Sequence, residues 1–185
     1  MAKSLILANG NIFVGLNKYG LVSDFFFPYV GSENHVRGEA HRIGIWAHGR
    51  LSWLDSEDWD ITIDLDKDTF VGTTRCFNKH TNLEVTFTSI VYNEKNIFLR
   101  EVKITNHGTT TEDIKIFFHQ VFSIYGTKQE DTAYFDPVTN TIIHYEGRRI
   151  FLIYAESSNI PFDDYTVGLY GIEGKEGTFK DAEDG

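Results

Sequence analysis

Apolar and polar side chains alternate with a period of two along most of this chain, and nowhere do they settle into the period of an amphipathic helix. Leu83-Glu84-Val85-Thr86-Phe87-Thr88 and Ile61-Thr62-Ile63-Asp64-Leu65 show it most cleanly, each placing three aliphatic or aromatic side chains on one face. Turn signals cut the pattern into short pieces: Asn9-Gly10-Asn11, Asn17-Lys18-Tyr19-Gly20, His48-Gly49, Asn93-Glu94-Lys95-Asn96 and Asn106-His107-Gly108. The spacing predicts strands over 5–7, 12–16, 21–27, 43–47, 51–54, 61–65, 83–88, 97–105, 114–122, 141–145 and 150–155. His48-Gly49 is the expected turn of a hairpin. Ile114–Phe122 becomes apolar on both faces, as a strand covered on both sides does. The expectation is an all-β chain forming one antiparallel sandwich over residues 1–185.

A length of 185 residues suits one domain at roughly 150 residues per domain. The formal charge of −10 argues against nucleic acid and anionic membranes, both of which need clustered Lys and Arg. One cysteine, Cys76, excludes an intrachain disulfide and a Cys-rich metal site. No apolar run reaches the length of a membrane span, and the N-terminus carries no signal-peptide pattern, so the expected location is cytoplasmic. Beyond Ser157 the pattern weakens into glycines at 168, 171, 174 and 177 with no closing strand, so the sandwich is expected to be truncated at its C-terminal end.

Chemistry concentrates in the loop Tyr29–Arg42. Glu33, Asn34, His35, Arg37, His41 and Arg42 offer donors and acceptors suited to sugar hydroxyls, to a partner's carboxylates, or to the loop's own backbone. A second polar stretch, Ser123–Thr141, reads as a long irregular loop that includes Asp131 and Tyr134. No metal is expected: His35 and His41 are six apart, and His119 and His144 stand alone on strands. Asp64-Leu65-Asp66-Lys67-Asp68 mimics a calcium loop but has Thr69 and Arg75 where that loop needs Gly and Glu, so it reads as a solvated turn. No nucleophile motif, Gly-rich phosphate loop or cofactor motif occurs. The tryptophans Trp46 and Trp53 lie amid apolar strand residues and are expected in the core.

Several segments in order resemble a known family: Gly10-Asn11-Ile12 with Val14-Gly15-Leu16, Phe27-Pro28-Tyr29-Val30-Gly31 with Glu33-Asn34-His35, His41-Arg42-Ile43-Gly44-Ile45-Trp46 and Ser52-Trp53-Leu54. The series continues through Phe117-Phe118-His119-Gln120, Asp131-Thr132-Ala133-Tyr134, Asp136-Pro137, Gly147-Arg148-Arg149 and Phe179–Gly185. Together they resemble the N-terminal domain of prokaryotic glucoamylase-type enzymes, glycoside hydrolase family 15, which also includes glucodextranases and some trehalases. The resemblance implies a β-supersandwich that precedes an (α/α)6 barrel, and it places both catalytic glutamates of an inverting hydrolase in that barrel. No catalytic residue is therefore expected here.

The implied function is a non-catalytic accessory domain that stabilises the barrel and edges its substrate cleft. Tyr29, Glu33, Asn34, His35, Arg37, His41, Arg42, Asp131 and Tyr134 are the interface or cleft candidates, with the barrel and an α-glucan or α-glucoside as partners. Two alternatives stand beside it. One is an independent carbohydrate-binding module with Trp46, Trp53 or Trp59 as stacking platforms. The other is an interaction sandwich that forms homo-oligomers through unpaired edges.

Overall fold

A computed structural model describes residues 3–127, 131–169 and Ala182. The chain is all-β; among the described residues the strand pairing is antiparallel and a short 3-10 turn lies at Ile124–Gly126. Four consecutive strands, β6 (Trp59–Leu65), β7 (Gly72–Asn78), β8 (Leu83–Val91) and β9 (Phe98–Asn106), form a meander. Its registers bring Trp59, Ile61, Cys76, Leu83, Val85, Phe87, Val102 and Ile104 to one face. Asp60, Thr62, Asp64, Arg75, Glu84, Thr86, Thr88, Glu101 and Lys103 take the other. The alternation read from the sequence is thus the division between core and solvent.

Two smaller sheets make the opposing layer. One is β1 (Leu5–Ala8), β2 (Phe13–Leu16) and β3 (Val22–Phe26). The second has the order β10-β4-β5, with β4 at Arg42–Ala47, β5 at Arg50–Trp53 and β10 at Lys115–His119. Ile43, Ile45, Ala47 and Leu54 meet Trp59, Cys76, Val85 and Phe87 in one core cluster. Leu5, Leu7, Val14, Leu16 and Val22 pack with Ile63, Leu65 and Phe98 in another. A third sheet, β11 (Thr132–Asp136), β12 (Thr141–Glu146) and β13 (Arg149–Ile153), joins the body through Phe122, Ile124, Phe151, Phe25 and Phe27. A two-strand ribbon, β14 (Glu156–Ser157) with β15 (Ile160–Pro161), follows it.

The turns behave as read. His48 and Gly49, at φ 53° and 72°, form the two-residue link between Ala47 and Arg50. Gly20 sits at φ 72°, and a Cβ there would lie 2.5 Å from Thr74 Cγ2, so position 20 admits only glycine. Asp66 accepts the Asp68 and Thr69 N–H groups, which makes the acidic stretch a self-capped turn.

Four expectations need correction. Residues 132–136, read as part of an irregular loop, form β11, because Ala133 and Phe135 face Phe151 and Ile153 across β12. Strand β7 escaped notice because Thr73, Arg75 and Asn78 dilute its apolar signal. Strand β10 is an edge strand with Phe118 exposed, not covered on both faces. Trp46 and Trp53 are half-buried rather than in the core, with Lys115 and Arg42 packed over their rings at 5.1 and 4.6 Å. The glycines at 171, 174 and 177 and the stretch Phe179–Gly185, apart from Ala182, lie outside the described residues.

Phe87 is fully buried at the centre of β8, so Phe87→Ala is expected to cost about 3–5 kcal/mol. Thr86→Ala, one residue away on the outer face, should stay within about 0.5 kcal/mol. Urea unfolding of the two variants measures the contrast.

Candidate functional site

The loop Tyr29–Arg42 leaves β3 after Phe25 and Phe27, whose rings meet Phe151 edge-on at 5.6 and 6.2 Å. Its first turn closes when the Ser32 and Glu33 N–H groups donate to the Tyr29 carbonyl. Tyr29 itself stands 62% exposed at the tip. Glu33 turns back and receives Arg149 Nε at 2.8 Å and Nη2 at 3.0 Å, a bidentate pair joining residues 116 apart in sequence. The Arg149 hydrogen bond holds the Glu33 carboxyl below its ordinary value. Asn34 is an internal clamp: its side-chain oxygen accepts N–H groups from Phe25, Val36 and Arg37, and its amide donates to Asp24.

His35 is completely buried. Its Nε2–H donates to the Phe27 carbonyl at 2.5 Å, while Nδ1 accepts the Tyr125 N–H at 3.2 Å. The two bonds together fix the neutral tautomer, and burial lowers its pKa in agreement. Its backbone is equally committed: His35 N–H donates to Phe25 O, and its carbonyl accepts Ser123 N–H, each at 2.8 Å. Arg37, at φ 50°, donates from Nη1 to the Gly126 carbonyl. The loop and the Ser123–Thr127 segment are therefore fastened to each other.

The second segment is organised just as tightly. Asp131 accepts the Ile124 N–H with both oxygens at 3.1 and 3.3 Å. Burial pushes its carboxyl up to about 6, and neighbouring Glu146 adds to the shift. Thr127 Oγ1 donates to Glu146, and Arg149 lies over the Tyr125 ring at 5.3 Å. Tyr134, by contrast, points outward from β11 and meets Tyr145 edge-on at 6.2 Å.

His41 and Arg42 leave the loop in different directions. His41 is buried, donates from Nε2 to the Val121 carbonyl at 3.1 Å and packs against Phe122. Burial drives its pKa down to about 3, and that of His144, which also packs against Phe122, down to about 4. Arg42 pairs with Asp55 at 2.9 Å beneath Trp53. Among the described residues no group of three or more His, Cys, Asp or Glu side chains is placed to hold a metal ion. None of their helices is long and apolar enough to cross a membrane.

The nine candidates thus fall into three sets. Glu33, Asn34, His35, Arg37 and Asp131 form one network, His41 and Arg42 brace the sheet beneath it, and Tyr29 and Tyr134 project to solvent. Asn34 and Arg37 also border an open cleft of about 610 Å³ lined by Lys3, Tyr19, Asp24 and Asp55. Of the network's other members, Arg149 enters the sequence reading only within the family-like run Gly147-Arg148-Arg149, and Tyr125 and Glu146 do not enter it as site candidates. Nothing in Glu146-Gly147-Arg148-Arg149 reveals a partner at Glu33.

A search of curated proteins relates the chain to a protein of Methanocaldococcus jannaschii described as an uncharacterized glycosyl hydrolase. The identity is 26% over 156 residues, and the alignment covers 80% of this chain. The chain is related to a glycosyl hydrolase. It spans 23% of that relative's length. No family model matches the chain, and no solved structure does.

His41 and His144 titrate near 6.5 when unfolded but near 3 and 4 when folded, so the unfolded state binds more protons between those values and stability falls as pH drops from 6.5. Asp131 acts oppositely: its folded value near 6 exceeds 3.8, so its contribution is lost as pH rises through that window. Plotting melting temperature against pH between 4 and ~6.5 should give a shallower rise for His41→Gln and a steeper one for Asp131→Asn. A double-mutant cycle on Glu33→Ala and Arg149→Ala should return a coupling of about 1 kcal/mol, diminished by salt.

Proposed function

We propose that this chain is the non-catalytic N-terminal β-supersandwich of a glucoamylase-type α-glucoside hydrolase of glycoside hydrolase family 15. Its partner is the (α/α)6 barrel that carries the catalytic acid and base, and the substrate of the whole enzyme is an α-glucan or α-glucoside. The observation that carries the reading is the relationship to a glycosyl hydrolase of which this chain spans only 23%. The order of the family-like segments supplies the finer assignment. The condition of the polar groups supports it too: Glu33 and Asp131, the two acidic candidates, are engaged by Arg149 and by Ile124, not presented as an opposed pair to a cleft.

The domain acts by rigidity. It holds a preformed surface against the barrel, and Tyr29 at the loop tip is the candidate that reaches farthest from the network toward a substrate cleft. Two measurements test the proposal. Titration of the chain with maltotriose and maltoheptaose should leave tryptophan fluorescence unchanged, and no glucose should be released; millimolar binding with a fluorescence change would establish a carbohydrate-binding module instead. In the M. jannaschii relative, deleting the matched segment should shorten the half-life against thermal inactivation about tenfold, on the order of 1.4 kcal/mol in the barrier. Replacing that segment with this chain should restore most of it. A deletion as durable as the intact protein would refute the accessory role.

A further inference from the structure

The core-facing row of β9 runs Phe98, Arg100, Val102 and Ile104, and the arginine is the exception in it. Register places Arg100 opposite Ser89, with Phe87 and Thr74 in the adjacent row of the same inner face. Its Nε–H donates to Ser89 Oγ at 3.1 Å, and Nη2 donates to the Gly20 carbonyl at 3.0 Å. The head therefore lies between the meander and the Asn17–Gly20 turn, with the rings of Phe87 and Phe98 at 5.2 and 5.3 Å. Burial pushes the guanidinium down to about 10, so it stays charged at neutral pH. The chain has 27 acidic residues, yet among the described residues none pairs with this cation. Glu101, next in sequence, faces the opposite side of the sheet beside Thr88.

The side chains around this head are donors without acceptors. Both Nη1–H groups and the second Nη2–H of Arg100 meet no acceptor among the described residues. Ser89, 1% exposed, accepts from Arg100 and has its own O–H left over. Thr74, also 1% exposed, has its Oγ1 buried without a partner among the described residues. It abuts Gly20, where an added Cβ would lie 2.8 Å from that oxygen. Water accepts hydrogen bonds from such groups, but it does not offset a guanidinium desolvated against two phenylalanines. We propose that Arg100 and Ser89 bind a small monovalent anion, chloride in ordinary buffers, between β9 and the Asn17–Gly20 turn. The single charge follows from the single cation: phosphate or sulfate would leave surplus negative charge inside a chain already at −10. Arg100 is half-buried on the strand that ends the described meander, so an ion reaches it from solvent. Once bound, the anion completes the contact between the two layers and stabilises the fold by mass action, whatever the domain accompanies.

The test reads melting temperature at fixed ionic strength while sodium chloride replaces sodium gluconate. Between ~2 and ~200 mM chloride the unmodified chain should gain about 3–5 °C. Arg100→Met, which keeps much of the stem and removes the charge, should lose most of that gain. At the low-chloride end it should melt at or above the unmodified chain, because no unpaired charge remains to be buried. Equal gains in the two proteins would mark a bulk salt effect with water as the occupant, and that overturns the proposal. A second measurement requires no variant to fold. The chloride NMR line should be broadened by the unmodified chain and sharpened again by millimolar nitrate or bromide. A line as narrow as in buffer, or one that nitrate leaves broad, overturns the site. Sharpening by sulfate as effective as that by nitrate overturns the preference for a single charge.

Discussion

The whole arrangement of loops depends on one uncharged imidazole. His35 has four hydrogen-bonding groups, two on the ring and two on the backbone, and all four are satisfied by segments distant from each other: Phe25, Phe27, Ser123 and Tyr125. A protonated ring would present a donor at Nδ1 to the Tyr125 N–H, itself a donor, inside a site with no water access. The neutral form is thus a structural requirement. Through it the third sheet is joined to the main sandwich, and the stacked rings of Phe122 and Phe151, 4.9 Å apart, give that joint its apolar filling.

Around this joint the protein uses polar groups for attachment in place of exposed chemistry. Glu33 with Arg149, Asn34 with Asp24, and Asp131 with the Ile124 N–H each connect segments that the strand order leaves unconnected. A long excursion out of a sheet carries backbone groups that water would otherwise have to satisfy, and here side chains do so. The density of His, Arg and Glu that makes Tyr29–Arg42 resemble an active site is the density such an anchorage needs.

The sandwich was legible because its information is local. In β8 the side chain at each position decides its own face, and the inward row Leu83, Val85 and Phe87 follows directly from the alternation. The half-buried state of Trp46 and Trp53 was not legible, because it depends on β10 ending the sheet, a matter of topology. Strand β11 was hidden for a similar reason: Thr132-Ala133-Tyr134-Phe135-Asp136 becomes a strand by pairing with β12, not by its own period. The candidate site was half legible. The sequence located the residues that would matter, but the direction they face depends on Arg149 and Tyr125, and a charge pair across 116 residues leaves no trace in either segment.

Cys76 lies in the centre of the sandwich on β7, fully buried, with burial pushing its thiol up to about 12. The thiolate, which is the reactive species, is scarce there at any neutral pH. As the chain's sole sulfhydryl, it is a built-in clock: the rate at which a maleimide or disulfide reagent captures it records how often the two layers separate, without any added probe.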